Sequence, residues 1–148
     1  MNTVQCATSL SGRERANLLE KLKEAQKEFG YVPKEFIAET ARALGLPIGE
    51  VYGLTTFYSF LSTRPLGRTV IRICKSIPCY LKNAGMIIDS VAHEIGITPG
   101  QTTADGKFSF KLTNCIGACD IAPAMLVNHE VHGYLTPRKI SEILKARK

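Results

Sequence analysis

Apolar residues recur at helical spacing through the first third of the chain. Leu18, Leu19, Leu22, Ala25 and Phe29 share one face of a segment running from Ser11 to Phe29, and Gly30 supplies its stop. Pro33 opens a second helix whose apolar face is Phe36, Ile37, Thr40, Ala41 and Leu44, ended by Gly45. A third follows from Pro47 through Ile48, Val51, Tyr52 and Thr55. Gly45, Gly49 and Gly53 recur at every fourth position, which predicts a close approach of this helix to a neighbour. At Thr63-Arg64-Pro65-Leu66-Gly67 the composition turns to loop residues, and the pattern beyond it alternates: Thr69-Val70-Ile71-Arg72-Ile73 is β-branched with the two-residue period of a strand.

Further along, the pattern predicts a helix from about Leu81 to Ile95, a strand at Phe108 to Leu112, a strand at Met125 to Asn128 and a returning strand at Val131 to Tyr134. Thr136 caps a last helix with Pro137 at its first position and Ile140, Ile143 and Leu144 on its buried face. The order β, α, β, β, β, α predicts an α/β fold with the outline of a thioredoxin-like sandwich. Two domains are expected: a small helical domain at residues 1–65 and the sandwich at residues 66–148.

With 148 residues, 45% of them apolar, the chain can bury a core without covalent staples. Its opening residues lack the apolar run of a signal peptide, and Val51 to Leu61, interrupted by Thr55, Thr56 and Ser59, is too short to cross a membrane. A cytoplasmic protein is expected, without direct membrane insertion. The net charge of +6 and pI of about 9.2 raise nucleic acid as a partner. The bases are nevertheless spread over helix faces, as at Arg13, Arg15, Lys21, Lys23 and Lys27, so a solvated surface is the better reading. Lys145, Arg147 and Lys148 complement the dipole of the last helix.

Five cysteines in such a chain argue for metal binding or chemistry rather than disulfides. Cys74-Lys-Ser-Ile-Pro-Cys79 is C-x4-C at the end of the first strand, and Cys115-Ile-Gly-Ala-Cys119 is C-x3-C just past the second. Loops leaving neighbouring strands at one sheet edge can converge, which makes four thiolates around one centre reachable. Structural zinc favours tighter C-x2-C knuckles, and plant-type ferredoxins place three ligands in one C-x4-C-x2-C run that is absent here. A [2Fe-2S] rhomb, whose irons each need two thiolates, suits two loop pairs, one per iron. Spacing alone leaves three centres open: the cluster, a structural zinc in an interaction module, and a redox dithiol. Cys6 is expected to be a bystander. His93, His129 and His132 do not sit in C-x-H arrangements beside the cysteine pairs and are read as surface or packing residues. No dinucleotide or phosphate loop of glycine-rich type occurs.

Gly30-Tyr31-Val32-Pro33, the run Val51-Tyr52-Gly53-Leu54-Thr55-Thr56-Phe57-Tyr58-Ser59-Phe60, the C-x4-C loop and the run from Cys115 through Gly117 to Asp120-Ile121-Ala122-Pro123 together resemble the thioredoxin-like [2Fe-2S] ferredoxin subunits of NADH dehydrogenase (respiratory complex I) and of NAD(P)-linked hydrogenases and formate dehydrogenases. The resemblance spans nearly the whole chain. It implies a [2Fe-2S] cluster ligated by Cys74, Cys79, Cys115 and Cys119, and an electron-transfer role in a multi-subunit NAD(P)-dependent oxidoreductase. It also implies a flavin (FMN)-containing, NAD(P)-binding partner subunit together with further iron-sulfur subunits. The interior of the first loop, Lys75-Ser76-Ile77-Pro78, departs from the Gly/Thr loop usual in complex I and points toward a soluble hydrogenase, of the kind that includes electron-bifurcating enzymes, as parent complex. Gly117 is expected to let backbone N–H groups approach sulfur, and the helix starting near Tyr80 to aim its amides at the cluster. Pro123 either shapes the approach to the next strand or is a plain strand-entry proline.

Overall fold

In the computed structural model, which describes residues 12–147, the three amphipathic stretches form helices α1 (Gly12–Phe29), α2 (Lys34–Ala43) and α3 (Ile48–Phe57). They belong to a unit that ends at Pro65; a second unit begins at Leu66. Cys6 and the expected helix start at Ser11 lie outside the described residues. Leu18 and Leu22 of α1, Val32 of the connection that follows, Ile37 and Ala41 of α2, Val51 of α3 and Leu61 close one small core. Gly30 (φ 77°) and Gly45 (φ 62°) end α1 and α2 in the left-handed conformation that side chains resist. The close approach expected at Gly49 and Gly53 is not made: a Cβ at either would meet no atom within 4 Å, so these glycines face open space.

The second unit is built on a four-stranded sheet in the order β2-β1-β3-β4, with β1 at Thr69–Cys74, β2 at Phe108–Thr113, β3 at Met125–Val127 and β4 at Glu130–His132. β1 and β2 are parallel, with Cys74 opposite Thr113 at their shared C-terminal edge; the other pairings are antiparallel. The expected single helix from about Leu81 is two helices, α4 (Ile77–Leu81) and α5 (Ala84–Ile95). Asn83 separates them at φ 63°, a left-handed conformation that asparagine tolerates better than most residues. α5 and α6 (Pro137–Lys145) supply Ile87, Val91, Ile140 and Leu144 to a core with Ile71, Ile73, Phe108, Phe110, Met125 and Val127 of the sheet. Thr136 caps α6 as expected, its hydroxyl accepting from the Lys139 N–H at 3.3 Å. Arg147, past that helix, pairs with Glu130 of β4.

In the β3–β4 turn, Asn128 exchanges two bonds with Val70: its side-chain oxygen accepts the Val70 N–H at 2.8 Å, and its own N–H donates to the Val70 carbonyl at 2.8 Å. β1 is therefore anchored at the end remote from Cys74. Arg72 and Lys111, opposite one another across β1 and β2, escape the general rule of solvated bases: burial lowers the pKa of both, and the Arg72 charge lowers that of Lys111 further.

The segment after β2 is held from the other side by Tyr134 and Leu135, whose N–H groups donate to the carbonyls of Ile121 (2.6 Å) and Pro123 (3.2 Å). Gly133 lies so close to this segment that an added Cβ would fall 2.5 Å from the Ile121 side chain, its branched Cβ included. Gly133→Ala is expected to destabilise the fold by about 1–3 kcal/mol, the usual cost of overpacking. Urea denaturation should register it as a lower midpoint at unchanged slope.

Candidate metal centre

All four cysteines expected at the site lie where β1 and β2 end. Cys74 is the last residue of β1; its N–H donates to the Ala124 carbonyl at 3.3 Å, and the N–H of Lys75 reaches the carbonyl of Thr113 of β2 at 3.0 Å, so the strands stay paired until the first loop departs. That loop becomes α4 at once, with Pro78 within its first turn, where a missing N–H costs nothing, and Cys79 inside the helix. The second loop leaves β2 after Thr113 and carries Cys115 and Cys119. Ala122 and Ile116 of this second loop pack on Cys74, Cys79 and Ala84, so the loops meet as the sequence predicts.

The thiols fall into two pairs of different exposure. Cys74 and Cys79 are buried, each 1% exposed, whereas Cys115 and Cys119 are open to solvent. The sulfurs of Cys115 and Cys119 stand 3.6 Å apart. Two sulfurs each about 2.3 Å from one tetrahedral metal stand about 3.8 Å apart, so this pair is close to the spacing a shared ion requires. Among the described residues no three Cys, His, Asp or Glu side chains converge on a point that one ion could fill.

Electrostatics couples the pairs. Burial alone would raise the Cys74 thiol, but donors outweigh it: the Ser76 N–H, the Cys79 thiol, the Ser76 hydroxyl and the Ile116 N–H hold it below the ordinary thiol value. Cys79 is raised, first by burial and then by its bond to Cys74 and by the charges of Cys74 and Cys119, against one lowering contact from the Ala124 N–H. Cys119 is raised by its hydrogen bond with Cys115, then by slight burial and by the charges of Cys115, Cys74 and Asp120. Cys74 and Cys119, on different loops, thus feel one another's charge. Ligation requires the thiolate, and the sulfurs of the outer pair already lie within hydrogen-bond reach of one another.

Gly117, at φ 80°, places its N–H 3.4 Å from the Cys115 sulfur, the approach expected of it. The amides expected from a helix starting near Tyr80 come from elsewhere, because that helix begins at Ile77: Ser76, Ile116, Gly117 and Ala124 supply the N–H groups facing sulfur. Pro123 follows a cis peptide bond immediately before Ala124. His93 and His129 lie at the surface, away from the cysteines in sequence, and His132 is half-buried on β4 beside Glu130.

A family model described as thioredoxin-like [2Fe-2S] ferredoxin matches residues 4–148. The chain is 39% identical over 132 residues to the E subunit of the NADH-quinone oxidoreductase of Pseudomonas aeruginosa, a match covering 89% of this chain and 80% of that protein. It is 34% identical over 141 residues to the HndA subunit of the NADP-reducing hydrogenase of Solidesulfovibrio fructosivorans, covering 95% of this chain and 82% of the relative. Among solved structures, a chain of an NAD+-reducing [NiFe]-hydrogenase in its air-oxidised state superimposes with a TM-score of 0.75 at 27% identity; the match covers 88% of this chain but 22% of that one.

Proposed function

The chain belongs to the thioredoxin-like [2Fe-2S] ferredoxin family, whose cofactor is a [2Fe-2S] cluster, and from that premise we propose that Cys74 and Cys79 hold one iron and Cys115 and Cys119 the other. The chain is an electron-transfer subunit of a multi-subunit oxidoreductase that uses a nicotinamide nucleotide. The observation that supports the ligand set is the placement of the thiols as two pairs on loops that pack together at the ends of adjacent parallel strands, with 3.6 Å between the sulfurs of the outer pair. When bound, the cluster accepts and returns one electron at a time. The protein supplies thiolates, N–H groups aimed at sulfur, and a dry inner side formed by Ala84, Ala122 and Ile116.

Electrons enter and leave, in this reading, through a flavin-bearing, NAD(P)-binding subunit, with further iron-sulfur subunits beyond it. The helical unit is the docking surface for that partner, because α3 keeps Ile48, Tyr52 and Phe57 exposed. No described helix is long and apolar enough to cross a membrane, and we place the complex in the cytoplasm. The first loop favours a soluble hydrogenase as parent, the higher identity to the Pseudomonas relative an NADH-quinone oxidoreductase; both parents use the same centre.

Hydride chemistry needs a flavin and a dinucleotide site, whereas this chain offers a one-electron centre. Mixed anaerobically with NADH or NADPH, the purified chain is therefore expected to keep its visible absorption, and to bleach once the flavin-bearing subunit is added. Rapid bleaching by nicotinamide alone would refute the accessory role.

A further inference from the structure

Of the three centres that cysteine spacing leaves open, a redox dithiol is not absorbed by the electron-transfer role, and the outer pair has the geometry for it. The sulfurs of Cys115 and Cys119 are 3.6 Å apart, and both residues are open to solvent. A disulfide needs an S–S distance of about 2.05 Å, so the two sulfurs have about 1.5 Å to close. The segment that must give, residues 114–120, is a loop with neither helix nor strand, and Gly117 sits at its centre with a left-handed φ of 80°. Cys74 and Cys79 differ on both counts: each is 1% exposed, Cys74 ends β1 and Cys79 lies inside α4. A disulfide reagent in solution therefore meets the outer pair and not the inner one.

We propose that, while the chain carries no cluster, Cys115 and Cys119 form a thiol–disulfide exchange site that a low-molecular-weight disulfide closes, and that the closed pair bars cluster loading until a reductant reopens it. The bond rests on the sulfur contact alone; its consequence for loading rests on the ligand reading above. One outer thiolate attacks the small disulfide, forming a mixed disulfide and releasing one small thiolate, which takes up a proton. The other outer sulfur, already in contact, loses its proton and attacks the protein sulfur of the mixed disulfide, which releases the second small thiol. Two protein thiols are thereby oxidised by two electrons, one small disulfide is reduced to two thiols, and both protons end on those thiols. The protein sulfurs, now bonded to one another, offer no thiolate, and half of the four-cysteine set is lost to iron. A dithiol reductant runs the exchange backwards. Iron bound to the same two thiolates in turn shields them from the reagent.

The test uses the full chain carrying Cys6→Ser, which leaves four thiols. Iron is stripped anaerobically with chelator and dithiothreitol, the reductant is removed, and oxidised glutathione is added as the probe. Trypsin then divides the thiols, because Cys115 and Cys119 fall in peptide 112–138, Cys74 in 73–75 and Cys79 in 76–82. Mass spectrometry should find peptide 112–138 lighter by two hydrogens and free of glutathione, with the two inner peptides unmodified. In guanidinium chloride the inner thiols should react as well, since burial is what protects them. Iron and sulfide uptake by the closed chain should fall about ten-fold below that of the reduced chain, because the bond removes half of the thiolate ligands. Dithiothreitol should restore it. Cys119→Ser has no second outer sulfur, so Cys115 should keep one glutathione as the trapped mixed disulfide. Free thiols on peptide 112–138 of the folded chain would overturn the proposal, as would a link from it to an inner peptide or full cluster uptake by the closed chain. A reduced chain that takes up neither iron nor sulfide would instead bring down the cluster reading itself, while the peptide map still decides the bond.

Discussion

Serine at any one of positions 74, 79, 115 or 119 is expected to remove or alter the cluster, and the inner and outer pairs should fail differently. Wild type should contain about two irons and two labile sulfides per chain. Thiolate is the ligand that holds iron in such clusters, and a serine hydroxyl is a much weaker acid that must lose its proton to replace it. At Cys74 and Cys79 the buried surroundings are Ala84, Ala122 and Ile116, which bar water from the vacated position. Cys74→Ser and Cys79→Ser should therefore yield colourless protein. Cys115 and Cys119 face solvent, where a water or the serine oxygen can complete the iron, so their variants should retain a fraction of the cluster with a changed spectrum. Cys6→Ser should leave iron, sulfide and spectrum unchanged. Metal analysis with visible spectra of the five variants decides the matter: stoichiometric zinc without iron in wild type, or full cluster in Cys74→Ser, would end the proposed ligation.

The legible parts of this structure are those in which one residue type has one physical consequence. The two-residue period of Thr69 to Ile73 marks a strand, and the helical segment between β1 and β2 is long enough for the crossover that their parallel pairing requires. With both strand ends at one edge, the loops that carry C-x4-C and C-x3-C pack together. The break between α4 and α5 is hidden because the apolar spacing runs on into Ile87 and Val91, and Asn83 adopts its left-handed backbone without the glycine or proline that ordinarily announces a stop. The spacing of Gly49 and Gly53 is legible, but the close approach it suggests is not made within the chain: neither glycine has an atom waiting where its Cβ would be.

That open space bears on the second large effect, loss of assembly on altering α3. Ile48 is 59% exposed, Tyr52 46% and Phe57 79%, while Val51 and Thr55 on the same helix are fully buried. The helix thus spends one face on its own core and leaves the other apolar. Gly49 and Gly53 punctuate that outer face with bare backbone, which lets another chain approach closely between the larger side chains. Truncating a buried aromatic anchor at an interface costs about 2 kcal/mol or more. Tyr52→Ser with Phe57→Ser should therefore weaken binding to the flavin-bearing subunit by about three orders of magnitude, at about 1.4 kcal/mol per tenfold. Gly53→Leu should have a comparable effect by filling the gap, without touching the core that α1 and α3 share. Because these side chains already face solvent, folding and the cluster spectrum should be unchanged, and electron transfer from NADH through the partner should fall with the affinity. Co-purification of the double variant with the flavin-bearing subunit at wild-type yield and salt resistance would show that the partner docks elsewhere on the chain.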